Sequence, residues 1–548
     1  MLAATLFGGK MKKTLFFVLL LFAVCICAQE PDWLWAENAG GIYDDSGQAI
    51  SIDADGNSYV TGYFMEIASF GSFNLTSNGG SDIFIAKMDT NGNWLWAESA
   101  GGNNYDKGIG ITTDDDGNIY VVGRFIGTAS FGSFNIISNG GFDIFIAKMD
   151  PNGCWLWVES VGGSETDEGN GIITDDTGNI YVTGCFEETA SFGSFDLNSS
   201  GGRDIFIAKM DTNGNWLWAV SAGGNYWDEG LAINTDVDGN VLVTGYYWGL
   251  ASFGPVNLTS NGNYDMFILK IESEGNWLWA ISAGGDQYDF GRGIITDDTG
   301  NIYVTGFFEE TASFGSFDLN SSGVEDIFIA KIDTNGNWQW AISIGGSYWD
   351  EGRAISIDNY WNIFITGTFG ISSSDCGIFV AKIDVNGNLL WVESASGSFG
   401  DVGNAISTFS DGNVYVTGAF RDLVGFGTFN ITSNGSWDIF VAKITNNTFT
   451  ENELFSTEME FFNYPNPFNP TTTISFSITE ESNVELSIYN IKGQKIKSLL
   501  NDQITAGEHS IVWYGTDASG KKVASSVYLY RLNVNGKIEA VKKCLLVK

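Results

Sequence analysis

Seven aspartates recur along the chain, each two residues before a glycine: Asp45, Asp106, Asp167, Asp228, Asp289, Asp350 and Asp401. Carboxylates gathered around a channel mouth would attract cations. The same residues in Asp-x-Gly turns would instead accept backbone N–H groups. The residue before each of them varies: Asp44, Tyr105, Thr166, Trp227, Tyr288, Trp349 and Gly400. The four aromatics at this position, Tyr105, Trp227, Tyr288 and Trp349, suit stacking of a sugar or a peptide on a loop-borne rim. The competing role for them is packing on a neighbouring repeat. These eleven residues form the candidate ligand-binding set.

The chain offers little for catalysis. Its one histidine is His509, close to the C-terminus. The body therefore lacks a Ser-His-Asp triad, a Cys-His pair and any histidine metal site. An enzyme built here would have to use carboxylates, Tyr or Lys. No catalytic residue is assigned, and no cofactor is expected. Calcium is the one ion suggested, by the D-x-D-G-N turns at Asp53/Asp55, Asp114/Asp116 and Asp236/Asp238. Their acidic ligands are too few for a calcium loop, so hairpin turns are the expected role. A set of seven lysines, Lys87, Lys148, Lys209, Lys270, Lys331, Lys382 and Lys443, recurs at one strand position and reads as structural ion pairing. The cysteines do not recur with the repeat and form no disulfide framework or CxxC site.

These residues are placed by a repeat. A WxW pair begins at Trp33, Trp94, Trp155, Trp216, Trp277 and Trp338, a constant step of 61, and a seventh copy starts at Leu389 after a step of 51. Each copy carries four short segments rich in β-branched and aromatic residues, joined by Asp-Gly and Asn-Gly turns. In the second copy these are Trp94–Ser99, Gly108–Asp114, Asn118–Phe125 and Asp143–Met149. Four strands per copy and seven copies predict an all-β, seven-bladed β-propeller spanning 29–445. The array opens on a lone WLWAE strand and ends on DIFVAKI, so the first strand is expected to complete the last blade and close the ring. The sixth copy departs most: it lacks ten residues between Gly367 and Asp375, removing the SFGSF loop found elsewhere. A notch in the rim is the expected consequence.

The motifs GNSYVTG (Gly56–Gly62), GNIYVTG (Gly178–Gly184) and GNVYVTG (Gly412–Gly418), with IFIAK or IFVAK in six copies, resemble bacterial β-propeller repeats of the SBBP type. That resemblance implies the fold and little about activity.

The ends differ from the repeats. Residues 1–28 read as a secretory signal, with Met11-Lys12-Lys13, a short apolar run and Ala28, and Met11 as the start. No later stretch is apolar enough for a membrane helix. Residues 446–460 are polar and read as a linker. Residues 461–548 carry YPNPFNP, IYNIKGQKI and WYGTDASGKKVASSVYLYRL, read as a small Ig-like β-sandwich. This segment resembles the C-terminal sorting domain of type IX secretion cargo, which implies the secretion machinery as a partner and a secreted or cell-surface location.

Charge narrows the partners. Residues 29–460 hold 13 Lys/Arg and 59 Asp/Glu, a net of −46, so nucleic acid is not expected to bind. The expected function is non-catalytic binding or adhesion toward a glycan or protein. A carboxylate-dependent polysaccharide enzyme and a structural surface-layer component are the alternatives.

Overall fold

The structure, a computed structural model, describes residues 31–446 apart from 373–374 and 398–399, and residues 461–546 apart from a few short stretches. The leader lies outside the described residues. The chain divides into two compact units, Met1–Asn447 and Thr448–Lys548.

The first unit is built from four-stranded antiparallel repeats, some joined into longer sheets where an outer strand also pairs with the next copy, as Gly223 does with Ser252. In the first copy the inner strand Ser46–Ile52 pairs with Ser58–Phe70, which pairs with Phe73–Met88, which pairs with Trp94–Gly102. The outer strand therefore comes from the start of the next copy. At the end of the array its place is taken by Trp33–Ala39, paired antiparallel with the segment Ile439–Ile444. The inner strands neighbour one another in a cyclic order: Ser46–Ile52, Lys107–Thr113, Glu168–Thr174, Glu229–Thr235, Asp289–Thr296, Glu351–Ile357, Val402–Thr408, and Ser46–Ile52 again.

The burial pattern explains the repeated IFIAK text. Ile83, Phe84, Ile85 and Ala86 are all fully buried, so this strand has no solvent face. Phe84 and Ala86 pack in a core with Val60 of their own copy and with Tyr415, Ile439 and Val441 from the last copy. Ile83 and Ile85 pack in another with Val121, Phe145 and Ala147 from the second. Alternate residues of one strand thus fill two different cores, which accounts for an unbroken apolar run in place of alternation.

Polar contacts stitch neighbouring sheets. In five of the six WxW pairs the second Trp donates its indole N–H to a turn carbonyl one copy on, as Trp35 does to Thr90 O (3.1 Å) and Trp218 to Ser273 O (2.9 Å). Six of the seven recurring lysines lie over a ring, as Lys87 over Tyr59 (4.8 Å) and Lys443 over Tyr415 (4.8 Å), while Lys270 stands opposite Leu242. Lys87 and Lys270 also pair with Asp53 (3.5 Å) and Asp236 (2.7 Å). The expected ion pairing is therefore present at these two, with cation–π contact as a second device. The D-x-D-G-N turns are hairpin turns: Asp53 accepts the backbone N–H of Asp55 and Asn57 and the Tyr59 hydroxyl.

The SFGSF hairpin folds back onto the outer strand of its own sheet, setting Phe70 edge-on to Trp94 (5.2 Å) and Phe131 to Trp155 (5.0 Å). In the sixth copy the hairpin closes early, with Ser372 opposite Asp375. The outer strand there begins with Leu389 where its siblings have Trp. The lost Phe and the lost Trp are partners, so one change explains the other. The start of this outer strand is exposed, with Leu389 at 46%.

The fold-back needs a left-handed residue. Glu66, Glu188, Glu310 and Asp422 take it at φ of 54–60°, and the second and fourth copies use Gly127 and Gly249 there. An L side chain in this region costs about 1–2 kcal/mol, partly offset by the larger unfolded freedom of glycine. Glu188→Gly is expected to stabilise the fold by about 0.5 kcal/mol, read as a higher denaturation midpoint.

The second unit is a β-sandwich. One sheet holds Phe461–Tyr464, Thr472–Ile478 and Gly507–Trp513; the other holds Lys495–Ile504, Ser482–Asn490, Ser526–Val534 and Lys537–Leu546. Ile474, Phe476, Leu486, Ile488, Trp513 and Leu532 fill the space between them. Asn446, expected in the linker, belongs to the first unit: it is buried and donates to Asp358 (2.6 Å).

Candidate functional site

The seven recurring aspartates are all 0% exposed. They do not front an open channel, which corrects the cation-attracting ring. Each is a clasp. Asp228 Oδ2 accepts the N–H of Gly224 (2.6 Å) and Oδ1 that of Trp248 (2.9 Å), while its own N–H goes to Arg203 O (2.8 Å). Asp45, Asp106, Asp167, Asp350 and Asp401 repeat the two carboxylate bonds, to the residue four before and the residue twenty after. One side chain so ties an outer strand, the next inner strand and a second strand together. Asp289 is the exception. It bonds Gly285 (2.7 Å), and its other oxygen is buried without a partner.

Burial dominates the charge state of these groups. Desolvation pushes Asp45, Asp167 and Asp401 up to about 7, Asp106 and Asp228 to about 6, and Asp289 to about 8.

The clasps carry a variable surface. Tyr105, Trp227, Tyr288 and Trp349 are 60%, 53%, 40% and 61% exposed. Trp227 lies over the Arg203 guanidinium (5.1 Å), and Tyr288 stacks beside Tyr264 (5.9 Å, 23° between planes). Tyr105 and Trp349 join no ring pair among the described residues. The structure brings further aromatics to this end that were not singled out from sequence. Tyr226 stacks on Trp248 (4.1 Å, 30°), Trp248 is 5.6 Å from Tyr264, and Phe290 stacks on Tyr246 (4.2 Å, 17°). These rings belong to the fourth sheet and the entry to the fifth.

Beside them lies a polar floor. The residue after each clasp Asp reads Ser46, Lys107, Glu168, Glu229, Phe290, Glu351 and Val402. Opposite these across the inner pair stand Tyr63, Arg124, Cys185, Tyr246, Phe307, Thr368 and Ala419. Glu229 accepts Asn170 Nδ2 (2.8 Å) and the Tyr246 hydroxyl. Arg124 pairs with Glu168 (2.9 Å), and Glu351 is held between Arg292 (2.6 Å) and Arg353 (2.8 Å). Lys107 lies over Tyr63 (5.4 Å), and burial lowers it to about 8. Glu168, Cys185 and Glu229 bring their donor atoms within 4.8 Å of one another, but the two carboxylates already hold Arg124, Asn170 and Tyr246. Setting aside the seven recurring lysines, the remaining cations of 29–460 are Lys107, Arg124, Arg203, Arg292, Arg353 and Arg421, and all stand in the clasp half of the sheets. Their signal is in the aligned copies: these positions vary where everything around them repeats.

The opposite end carries acidic clefts between turns. One, of about 490 Å³, is lined by Asp114–Asp116 and Asp175–Thr177.

Comparison with known proteins agrees with the fold. The β-propeller repeat family matches residues 96–124 and 157–184, and the FlgD Ig-like domain family matches 466–537. The chain is a β-propeller repeat protein with a C-terminal Ig-like domain. An uncharacterised WD repeat-containing protein, L264 of Acanthamoeba polyphaga mimivirus, is 24% identical over 534 residues, covering 75% of this chain and 38% of that protein. The regulatory protein FlaEY of Caulobacter vibrioides is 29% identical over 174 residues, 30% of this chain and 18% of its own length. The chain thus spans well under half the length of these relatives. Among solved structures, PorZ, a surface component of the type-IX secretion system of Porphyromonas gingivalis, aligns over 93% of this chain and 60% of its own. Its identity is 13% and its TM-score 0.37, a level that carries no functional information. Among the described residues no helix is long and apolar enough to cross a membrane.

Proposed function

We propose that the chain is an exported, non-catalytic, closed seven-bladed propeller that binds a glycan or protein partner on its clasp face. The observation carrying the binding reading is the convergence of unrepeated residues. Strands, cores and turns are nearly identical from copy to copy, yet the positions held by Trp227, Trp248, Tyr264, Tyr288 and Trp349 vary between copies, and these side chains gather at one end. Folding alone does not call for such departures, because sibling copies fold without them. The cyclic order of inner strands and the pairing of Trp33–Ala39 with the last copy support seven blades and closure.

Export rests on the leader and on the C-terminal motifs. The leader sends the chain through the inner membrane, and 461–548 acts as a type IX sorting domain that delivers it to the surface or medium. Deleting 463–548 is expected to abolish surface display while the propeller still accumulates inside the cell. Unchanged display, by protease accessibility on whole cells, would refute the sorting assignment.

For binding, purified full-length protein on glycan and peptide arrays should retain ligands that the Trp227→Ala/Trp349→Ala double variant loses at least tenfold, with an unchanged melting curve. Both side chains are more than half exposed, so the substitutions test recognition and not folding. Turnover of a polysaccharide by the wild type would overturn the non-catalytic reading.

A further inference from the structure

Three aromatic sites on the clasp face contain the protein's own arginine. Arg124 lies over Phe142 (4.6 Å) with Glu168 as its anion, and Arg203 lies over Trp227 (5.1 Å) with Glu187 at 4.0 Å. Arg292 lies near Phe290 (5.8 Å) and Phe307 (5.7 Å) with Glu351 as its anion. In the fourth copy the three equivalent positions are Tyr246, Tyr264 and Leu231. No Lys or Arg occurs between Lys209 and Lys270.

The aromatic cluster of the fourth copy therefore meets a cation only at its edge, where Arg292 lies 5.8 Å from Phe290, a ring 5.7 Å from Tyr264. Among the described residues, no ammonium or guanidinium lies over Tyr226, Trp248, Tyr264 or Tyr288. A carboxylate stands beside it: Glu229 accepts the hydroxyl of Tyr246, whose ring lies 5.1 Å from that of Tyr264. A body of net −46 adds long-range attraction for positive charge. Aromatic faces beside carboxylates are the environment that holds guanidinium elsewhere in this molecule.

We infer that the cluster formed by Tyr226, Trp248, Tyr264 and Tyr288 takes an arginine or lysine side chain from a partner polypeptide. This rests on the clasp face being the binding face and selects a basic protein segment as its occupant. The ligand's cation supplies what Arg203 supplies one copy earlier.

The test uses tri-arginine peptide against the full chain by isothermal titration near physiological salt. One site per chain is expected. Tyr288→Ala, an exposed loop substitution, should weaken it at least tenfold. Tyr264→Arg places a guanidinium in cis, as Arg203 stands in the third copy, and should abolish peptide binding while leaving the melting temperature unchanged or higher. Several weak sites indifferent to both substitutions would mean diffuse charge attraction and overturn the inference. Cellohexaose serves as the neutral probe. If it binds and is lost in the same variants while the peptide fails, the clasp face stands as a binding face and the cationic assignment falls. Failure of both probes refutes the assignment of an occupant to this cluster.

Discussion

Asp228→Ala is expected to destabilise the propeller by about 2–3 kcal/mol. The carboxylate is fully buried and accepts the backbone N–H groups of Gly224 and Trp248. Its removal orphans two buried donors, each costing about 1–3 kcal/mol. Part of that is returned, because the native state no longer holds a desolvated carboxylate. Asp289→Ala should cost less, since it orphans one donor, Gly285, and also removes an unpartnered buried oxygen. Denaturant midpoints at one pH decide the matter. Equal losses at the two positions would contradict the clasp account. The variants also separate structure from recognition. Trp248 and Arg203 both bond to Asp228 through their backbones, so Asp228→Ala should loosen the aromatic cluster as well as the fold.

Thermal stability should be greater near pH 5 than at pH 8, and should fall again near pH 3. The sign follows from where the protons sit. Desolvation raises Asp45, Asp167, Asp204, Asp265 and Asp401 to about 7 and Asp82, Asp106, Asp143, Asp228 and Asp438 to about 6, against an ordinary value of 3.8. Between about pH 4 and 8 the native state then binds more protons than the unfolded chain, and stability rises as pH falls. The net charge of −40 acts in the same direction, because protonation relieves self-repulsion. The turn carboxylates oppose this at low pH. Burial pushes Asp53, Asp175 and Asp297 up, but bonds from Asn57, Asn179 and Asn301 outweigh it and hold them below the ordinary value. Their contribution is present above that value and is lost as pH falls through the lowered one. Melting curves at pH 3, 5 and 8 test the prediction; a temperature rising steadily to pH 8 would contradict it.

The all-β repeat was legible from residues because period, turn chemistry and β-branched runs pointed one way. So was the offset of the WLWAE strand, since a lone strand at one end matches the gap at the other. The clasp role was half legible. That each recurring Asp accepts backbone N–H bonds follows from its turn setting, but the partner twenty residues on comes from the next strand and has no mark in local sequence. The aromatic cluster was missed for a related reason. Tyr246, Trp248, Tyr264 and Phe290 lie on three strands, and only pairing brings them together. Trp227 and Trp349 were visible because each stands beside a recurring Asp. The link between the sixth-copy deletion and Leu389 was not legible, because nothing local says that the SFGSF hairpin folds back onto a Trp.

Unrepeated residues on a repeated frame are the basis for reading the clasp face as a binding surface. The most direct measurement is array binding by the full-length protein beside its Trp227→Ala/Trp349→Ala variant, with melting curves for both. The account predicts retained fold and at least tenfold weaker binding. Undiminished binding by the double variant, or its transfer to substitutions in the acidic turns around Asp115 and Asp176, would contradict it.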